Sequence, residues 1–169
     1  KLFHRLFVII FYFFLRFNFN LQKFSHSLLL VNIFKFEKSS GMVSKVTDGI
    51  RISVEQFYQP DYSNPLQLEF MFAYRITIEN HNSFPVQLLR RHWFICDSNA
   101  EQKEVEGEGV IGVQPVIAPN EQYQYISGCN LKSELGKMYG SYLMENVYTR
   151  QQFQVNIPVF YMEAPFKRN

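Results

Sequence analysis

The sequence predicts an all-β fold: an antiparallel β-sandwich of the immunoglobulin or fibronectin type III-like kind, with seven to eight strands. Three observations carry that expectation. From Met42 onward, apolar residues recur with a period of two. Turn-forming clusters of Gly, Pro, Asn and Asp return about every ten residues. No segment of the body sustains the i, i+3, i+4, i+7 stripe of an amphipathic helix. A closed barrel is the alternative.

The elements follow in chain order. Ile50, Ile52 and Val54 alternate with Arg51, Ser53 and Glu55, which is the pattern of a half-buried strand. Gln59 to Pro65 contains two prolines and reads as a loop. Phe70, Phe72, Tyr74, Ile76 and Ile78 share one face of the clearest strand, with a mixed face opposite, as expected for a sheet packed on one side. A turn follows from Asn80, then a strand from Val86 to Cys96, then a turn at Asp97, Ser98 and Asn99. Gln102 to Glu106 is short and charged, suiting an edge strand. Val113 to Ile117, Glu121 to Ser127, Ser141 to Glu145 and Phe153 to Tyr161 complete the set. In the last of these Phe153, Val155, Ile157, Val159 and Tyr161 are in phase, and Pro158 marks an edge or a strand end.

Composition divides the chain. Residues 1–41 hold ten of the eighteen Phe, six Lys or Arg and a single acid, Glu37, a net charge of +5. The remainder has eleven Lys or Arg and fourteen acids, a net of −3, so the overall +2 is set by the leader. The body has no basic excess and is not expected to bind nucleic acid. The longest uncharged apolar run, Leu6 to Leu15, is ten residues, about half of what a spanning helix needs. Residues 1–41 are expected to be a non-native upstream extension outside the core, with a membrane anchor or cleaved leader as the alternative, and the working protein, residues 42–169, is expected to begin at Met42. No membrane association is expected for 42–169. Cys96 and Cys129, without a credible secretion signal, read as reduced thiols of a cytoplasmic protein.

Gly107, Gly109 and Gly112 spell G-x-G-x-x-G within EGEGVIG, the fingerprint of dinucleotide sites. Such a site needs a buried strand before the glycines and a helix after them, whose N-terminal amides hold the pyrophosphate. Here Lys103, Glu104, Val105 and Glu106 lead in, and Val110, Ile111, Gly112, Val113, Gln114 and Pro115 follow. Those residues do not open a helix, and Glu106 and Glu108 would repel a phosphate. The motif is expected to be a connection between strands, with glycines supplying positive φ or a bulge.

Four consecutive residues are unusual: Arg90, Arg91, His92 and Trp93. On a strand Arg90 and His92 point one way, Arg91 and Trp93 the other. They suit an anion or carboxylate site or an interface anchor. The bland alternative makes Trp93 core and pairs the arginines with the acids of Glu101 to Glu108. Ser127, Gly128 and Cys129 read as a tight loop leaving a strand. Catalysis would need His92 as base beside Ser127 or Cys129. His81 and His92 stand at no ligand spacing, so no metal site and no cofactor is expected.

Taken together, the run RRHW, the glycine motif followed by Gln114-Pro115, the SGC tripeptide, and Met138, Gly140, Tyr142 and Met144 near the end resemble the ApaG family, along nearly all of Met42 to Asn169. Asn130 departs from the family's common proline after SGC. The resemblance implies a fibronectin type III-like sandwich. It also implies an association with cobalt resistance and magnesium efflux in bacteria, a gene that often neighbours a diadenosine tetraphosphate hydrolase, and relatives in F-box and polymerase delta-interacting proteins that look like protein-binding modules. No catalytic residue transfers with it. The expected function is therefore a non-catalytic module that binds a protein partner. It would use RRHW, the glycine segment and SGC, and its effect on Co²⁺ or Mg²⁺ would be indirect. A binder of nucleotide polyphosphates such as diadenosine tetraphosphate, or of pyrophosphate, is the second expectation, and a small enzyme the third. A homodimer through edge strands is also expected to be feasible.

Overall fold

The computed structural model describes residues 41–165. The expectations made for the leader lie outside the described residues. Among the described residues there are nine strands: β1 (Met42–Thr47), β2 (Ile50–Tyr58), β3 (Phe70–Asn80), β4 (Val86–Asp97), β5 (Gln102–Glu108), β6 (Val116–Ile117), β7 (Gln122–Leu131), β8 (Leu135–Asn146) and β9 (Gln152–Glu163). Two single 3-10 turns, Pro60–Tyr62 and Pro65–Gln67, punctuate the long β2–β3 connection. All strand pairs are antiparallel, in two sheets ordered β1-β2-β3-β7 and β5-β4-β8-β9, with the short β6 paired to β4. The fold is an antiparallel β-sandwich.

One strand beyond the expected seven to eight is β1. Its residues are exposed on both faces along most of their length, so no apolar alternation marks it. The chain nevertheless signals it locally. Thr47 pairs with Ile50 across Asp48-Gly49, which have φ +47° and +75°. Asp-Gly with both residues at positive φ is the favoured two-residue hairpin turn.

The core is the interdigitation of two inner faces. Ile50, Ile52, Phe70, Phe72, Ile76 and Ile78 supply one. Trp93, Met138, Tyr142, Met144, Phe160 and Met162 supply the other. Each fully buried large side chain contributes about 1.5–3 kcal/mol relative to exposure. Two β-bulges reset the alternation. One, between Leu88 and Arg90, lets Val86 and Leu88 face inward and then also Arg91 and Trp93. The other lies between Met138 and Gly140 and places Pro158 and Val159 of β9 opposite one residue of β8. It corrects the expected phase of β9: Phe160 and Met162 go in, while Val159 and Tyr161 turn out. Gly140 sits where a Cβ would strike the His92 carbonyl, so close β4–β8 pairing there needs glycine.

The sandwich has a closed and an open side. On the closed side β9 runs against β1 and β2, where the Asn156 amide donates to Thr47 Oγ1 at 3.4 Å. On the other side lie the edge strands β7 and β5, without a comparable approach of their backbones. There the sheets are tied by side chains: the hydroxyls of Tyr125 and Tyr142, both buried, meet at 2.5 Å.

Candidate functional site

The bulge in β4 divides Arg90, Arg91, His92 and Trp93 between two environments. Arg90 and His92 face outward, and each meets an acid of β5. Arg90 Nη2 lies 3.4 Å from Glu106 Oε1, and His92 Nε2 lies 2.6 Å from Glu104 Oε1. Trp93 is 3% exposed and packs edge-on against Tyr142 and Phe160, with centroids 6.2 and 6.1 Å away. It is a core residue. Arg91 also points between the sheets. Its Nη1 donates to the carbonyls of Glu108 and Gly109, both at 2.8 Å.

That contact explains the glycine motif. Gly107 belongs to β5 rather than to a connection, and it lies opposite Arg91 in register. A Cβ there would sit 3.1 Å from Arg91 Nη2, so glycine leaves room for the guanidinium to cross. Gly109 has φ +54°, its amide donates to the Leu89 carbonyl at 2.8 Å, and a Cβ on it would collide with the Val113 carbonyl. Gly112 has φ +72° and open space around it. Val110 and Val113 exchange amide–carbonyl bonds of 2.8 and 3.0 Å across this turn. No helix follows, and the expected strand Val113 to Ile117 shrinks to β6 because Val113 closes the turn. The motif thus houses an arginine and a tight turn, and the Gly109 and Val110 amides are spent internally.

Ser127, Gly128 and Cys129 are not a loop. They lie inside β7, paired with Tyr74, Ala73 and Phe72, which extends that strand to Leu131. The small residues Gly128 and Ala73 oppose each other, whereas loop residues would have no such partner. Burial, with a small opposing effect of Lys103 and an added one from Asp97, pushes the Cys129 thiol up to about 12. A thiol of that kind is a poor nucleophile near neutrality. Ser127 bonds to Tyr74, whose hydroxyl burial pushes up to about 12. Burial also raises Tyr125 and Tyr142, and the Arg91 charge opposes the shift in all three tyrosines. His92 faces the solvent side of the other sheet, with Glu104. The base and nucleophiles imagined from the sequence therefore do not meet.

A feature the sequence reading missed lies on the same outer face as Arg90 and His92. Phe94 and Tyr139 stack with centroids 5.2 Å apart and planes 19° apart, and His92 lies 4.4 Å from Phe94. Beside them on β9, Val159 is 47% and Tyr161 64% exposed. The missing signal was the β9 bulge, since strict alternation would bury both. Among the described residues no group of three or more His, Cys, Asp or Glu is placed to hold a metal ion. Nor is any helix among them long and apolar enough to cross a membrane. An open groove at one end of the sandwich is lined by Asp48, Asn82, Phe84, Asn146, Gln151 and Phe153, none of them among the site residues expected from sequence.

Comparison with known proteins identifies the lineage. The profile described as ApaG domain, DUF525, matches residues 60–146. The chain is similar to Protein ApaG of Brucella canis, 43% identical over 127 residues, covering 75% of this chain and 97% of that protein. Protein ApaG of Brucella anthropi is 42% identical over the same span and coverage. A crystal structure from Bordetella pertussis, under the name ApaA, superposes with a TM-score of 0.67 at 39% identity, covering 69% of this chain and 94% of that one. An X-ray structure of a structural-genomics target superposes with a TM-score of 0.66 at 38% identity, covering 70% and 89%. On the shared profile, the identity to whole relatives and the common sandwich, this chain belongs to the ApaG family.

Proposed function

We propose that this chain is a non-catalytic, fibronectin type III-like binding module of the cytoplasm. It presents the outer face of the β5-β4-β8-β9 sheet to a protein partner. Any influence on Co²⁺ or Mg²⁺ handling runs through that partner. The supporting observation is the aromatic patch of Phe94, Tyr139 and Tyr161, rimmed by the Arg90–Glu106 and His92–Glu104 pairs. Interfaces favour such a composition: aromatic anchors at the centre, charges at the rim. The Arg90–Glu106 pair contributes little to stability, because exposed ion pairs are worth at most about 1 kcal/mol, and the His92–Glu104 hydrogen bond is likewise at the surface, which leaves both available for recognition.

The nucleotide polyphosphate reading required Arg90 and Arg91 to converge on loop amides. The two guanidinium groups lie on opposite faces of β4, and Arg91 binds carbonyls. Nothing therefore favours that reading over the protein-binding one. The test is site-specific photo-crosslinking in cells, with the reactive residue placed at Tyr161 or, as a control, at Leu66, which is 97% exposed. Discrete adducts from position 161 and none from 66 support the assignment, and adducts to a second copy make the partner this chain itself. Absence of adducts from 161, or equal labelling from both positions, refutes it.

A further inference from the structure

Arg91 is the inward-facing cation of β4, and its hydrogen bonds use only part of its capacity. Both bonds leave from Nη1, toward the carbonyls of Glu108 and Gly109. Among the described residues Nε and Nη2 have no hydrogen-bond partner, and no carboxylate lies within ion-pair distance of the guanidinium. The residue is half-buried, two carbonyls hold one end of its guanidinium, and its Nη2 occupies the space that a Cβ on Gly107 would crowd. Arginine positioned this way has already lost the side-chain freedom that ligand binding would otherwise cost.

Its surroundings restrict what could pair with it. Arg91 stands on the open side of the sandwich, between edge strands β5 and β7. Val105, Ile111 and Tyr123 are half-buried apolar groups packed against the core; Val105 lies on the inner row of β5 two residues before Gly107, Tyr123 on that of β7, and Ile111 in the turn after Gly109. Ser127 is also half-exposed on the inner row of β7. The other nearby cation, Lys103, is paired with Glu101 at 3.2 Å.

We propose that Arg91 is the recognition residue of a small-anion site on this open side, and that its ligand is a carboxylate carried on an apolar body. The Nε–Nη2 edge offers two parallel N–H donors, which match the two oxygens of a carboxylate. One unpaired positive charge is balanced by a monoanion, whereas a phosphate dianion would bring excess negative charge into a half-buried setting. The apolar wall of Val105, Ile111 and Tyr123 accepts the rest of the molecule. This site is separate from the outer aromatic face, and neither depends on the other.

The test is a nuclear magnetic resonance titration of the full chain, following backbone amides and arginine Nε–H groups. The probes are N-acetyl-leucine, its neutral counterpart N-acetyl-leucinamide, and inorganic phosphate. N-acetyl-leucine is expected to move the Arg91 Nε–H and the amides of Gly107, Gly109 and Ser127 saturably. The amide probe should bind about tenfold or more weakly, as loss of a charge-assisted pair implies. Arg91→Lys keeps the charge but removes the fork, and should weaken N-acetyl-leucine by a similar factor in a still-dispersed spectrum. Should that variant unfold, Val105→Asp places a like charge at the mouth without touching the Arg91 bonds and should abolish the response. Equal response to the amide probe, stronger response to phosphate, no response at these residues, or full binding by Val105→Asp would each overturn the proposal.

Discussion

Tyr142 and Tyr125 offer a stringent test of how the two sheets are joined. Tyr142 is 0% and Tyr125 5% exposed, and their hydroxyls meet at 2.5 Å across the core. Removing one hydroxyl leaves the other buried without that partner. Tyr142→Phe should therefore cost about 1–3 kcal/mol, the desolvation of an orphaned hydroxyl, and Tyr125→Phe a similar amount. In the double variant both polar groups are gone and the rings still fill the same space. Its cost should be well below the sum of the singles, with a coupling of about 1 kcal/mol or more. Urea unfolding followed by the fluorescence of Trp93, whose ring lies 6.2 Å from that of Tyr142, reads all four proteins. A single substitution should also lower Tm by about 4 °C per kcal/mol. If the double variant costs the full sum, the hydroxyl pair is not the tie between the sheets.

Gly109→Ala should destabilise by about 1–3 kcal/mol through its positive φ and more through collision with the Val113 carbonyl, and it should exceed Gly112→Ala, which meets open space; thermal melts would rank them. Alkali should unfold the protein. Burial raises the native Cys129 thiol and the Tyr74 hydroxyl each to about 12, while the unfolded groups ionise near 8.5 and 10. Above those values the unfolded state binds fewer protons, so stability is intact at lower pH and falls between about pH 9 and 12. Tm measured against pH should be flat near neutrality and then decline, and a flat profile to pH 12 would contradict it. Native protein at pH 8 should alkylate at the half-exposed Cys96 and leave the buried Cys129 unmodified until unfolded, as mass spectrometry of the peptides would reveal.

Much of the fold was legible because one face of most strands is buried. Phe70, Phe72, Tyr74, Ile76 and Ile78 all face inward as their alternation implied. Alternation failed where its physical cause was absent. β1 buries neither face, so only its Asp-Gly turn betrays it. Ser127-Gly128-Cys129 looked like a turn because its residues are small, yet smallness here suits pairing against Ala73. Val159 and Tyr161 leave the phase of Phe153, Val155 and Ile157 because a bulge adds one residue and reverses every later side chain. The division of Arg90 and His92 from Arg91 and Trp93 was readable from period two alone. That Arg91 lies over Gly107 was not, since β4 and β5 meet only through their register. G-x-G-x-x-G without a following helix could be excluded as a dinucleotide site, but the arginine that makes sense of Gly107 is sixteen positions earlier in the chain.

The most direct test of the binding-module account is the affinity of a partner captured from position 161, measured for the unaltered chain and for Phe94→Ala, Tyr161→Ala and the remote Leu66→Ala. Aromatic anchors at the centre of an interface predict a loss of about tenfold or more for each of the first two. Leu66→Ala should bind like the unaltered chain. Equal affinities across all four proteins would contradict the account and take the outer face of the β5-β4-β8-β9 sheet out of the interaction.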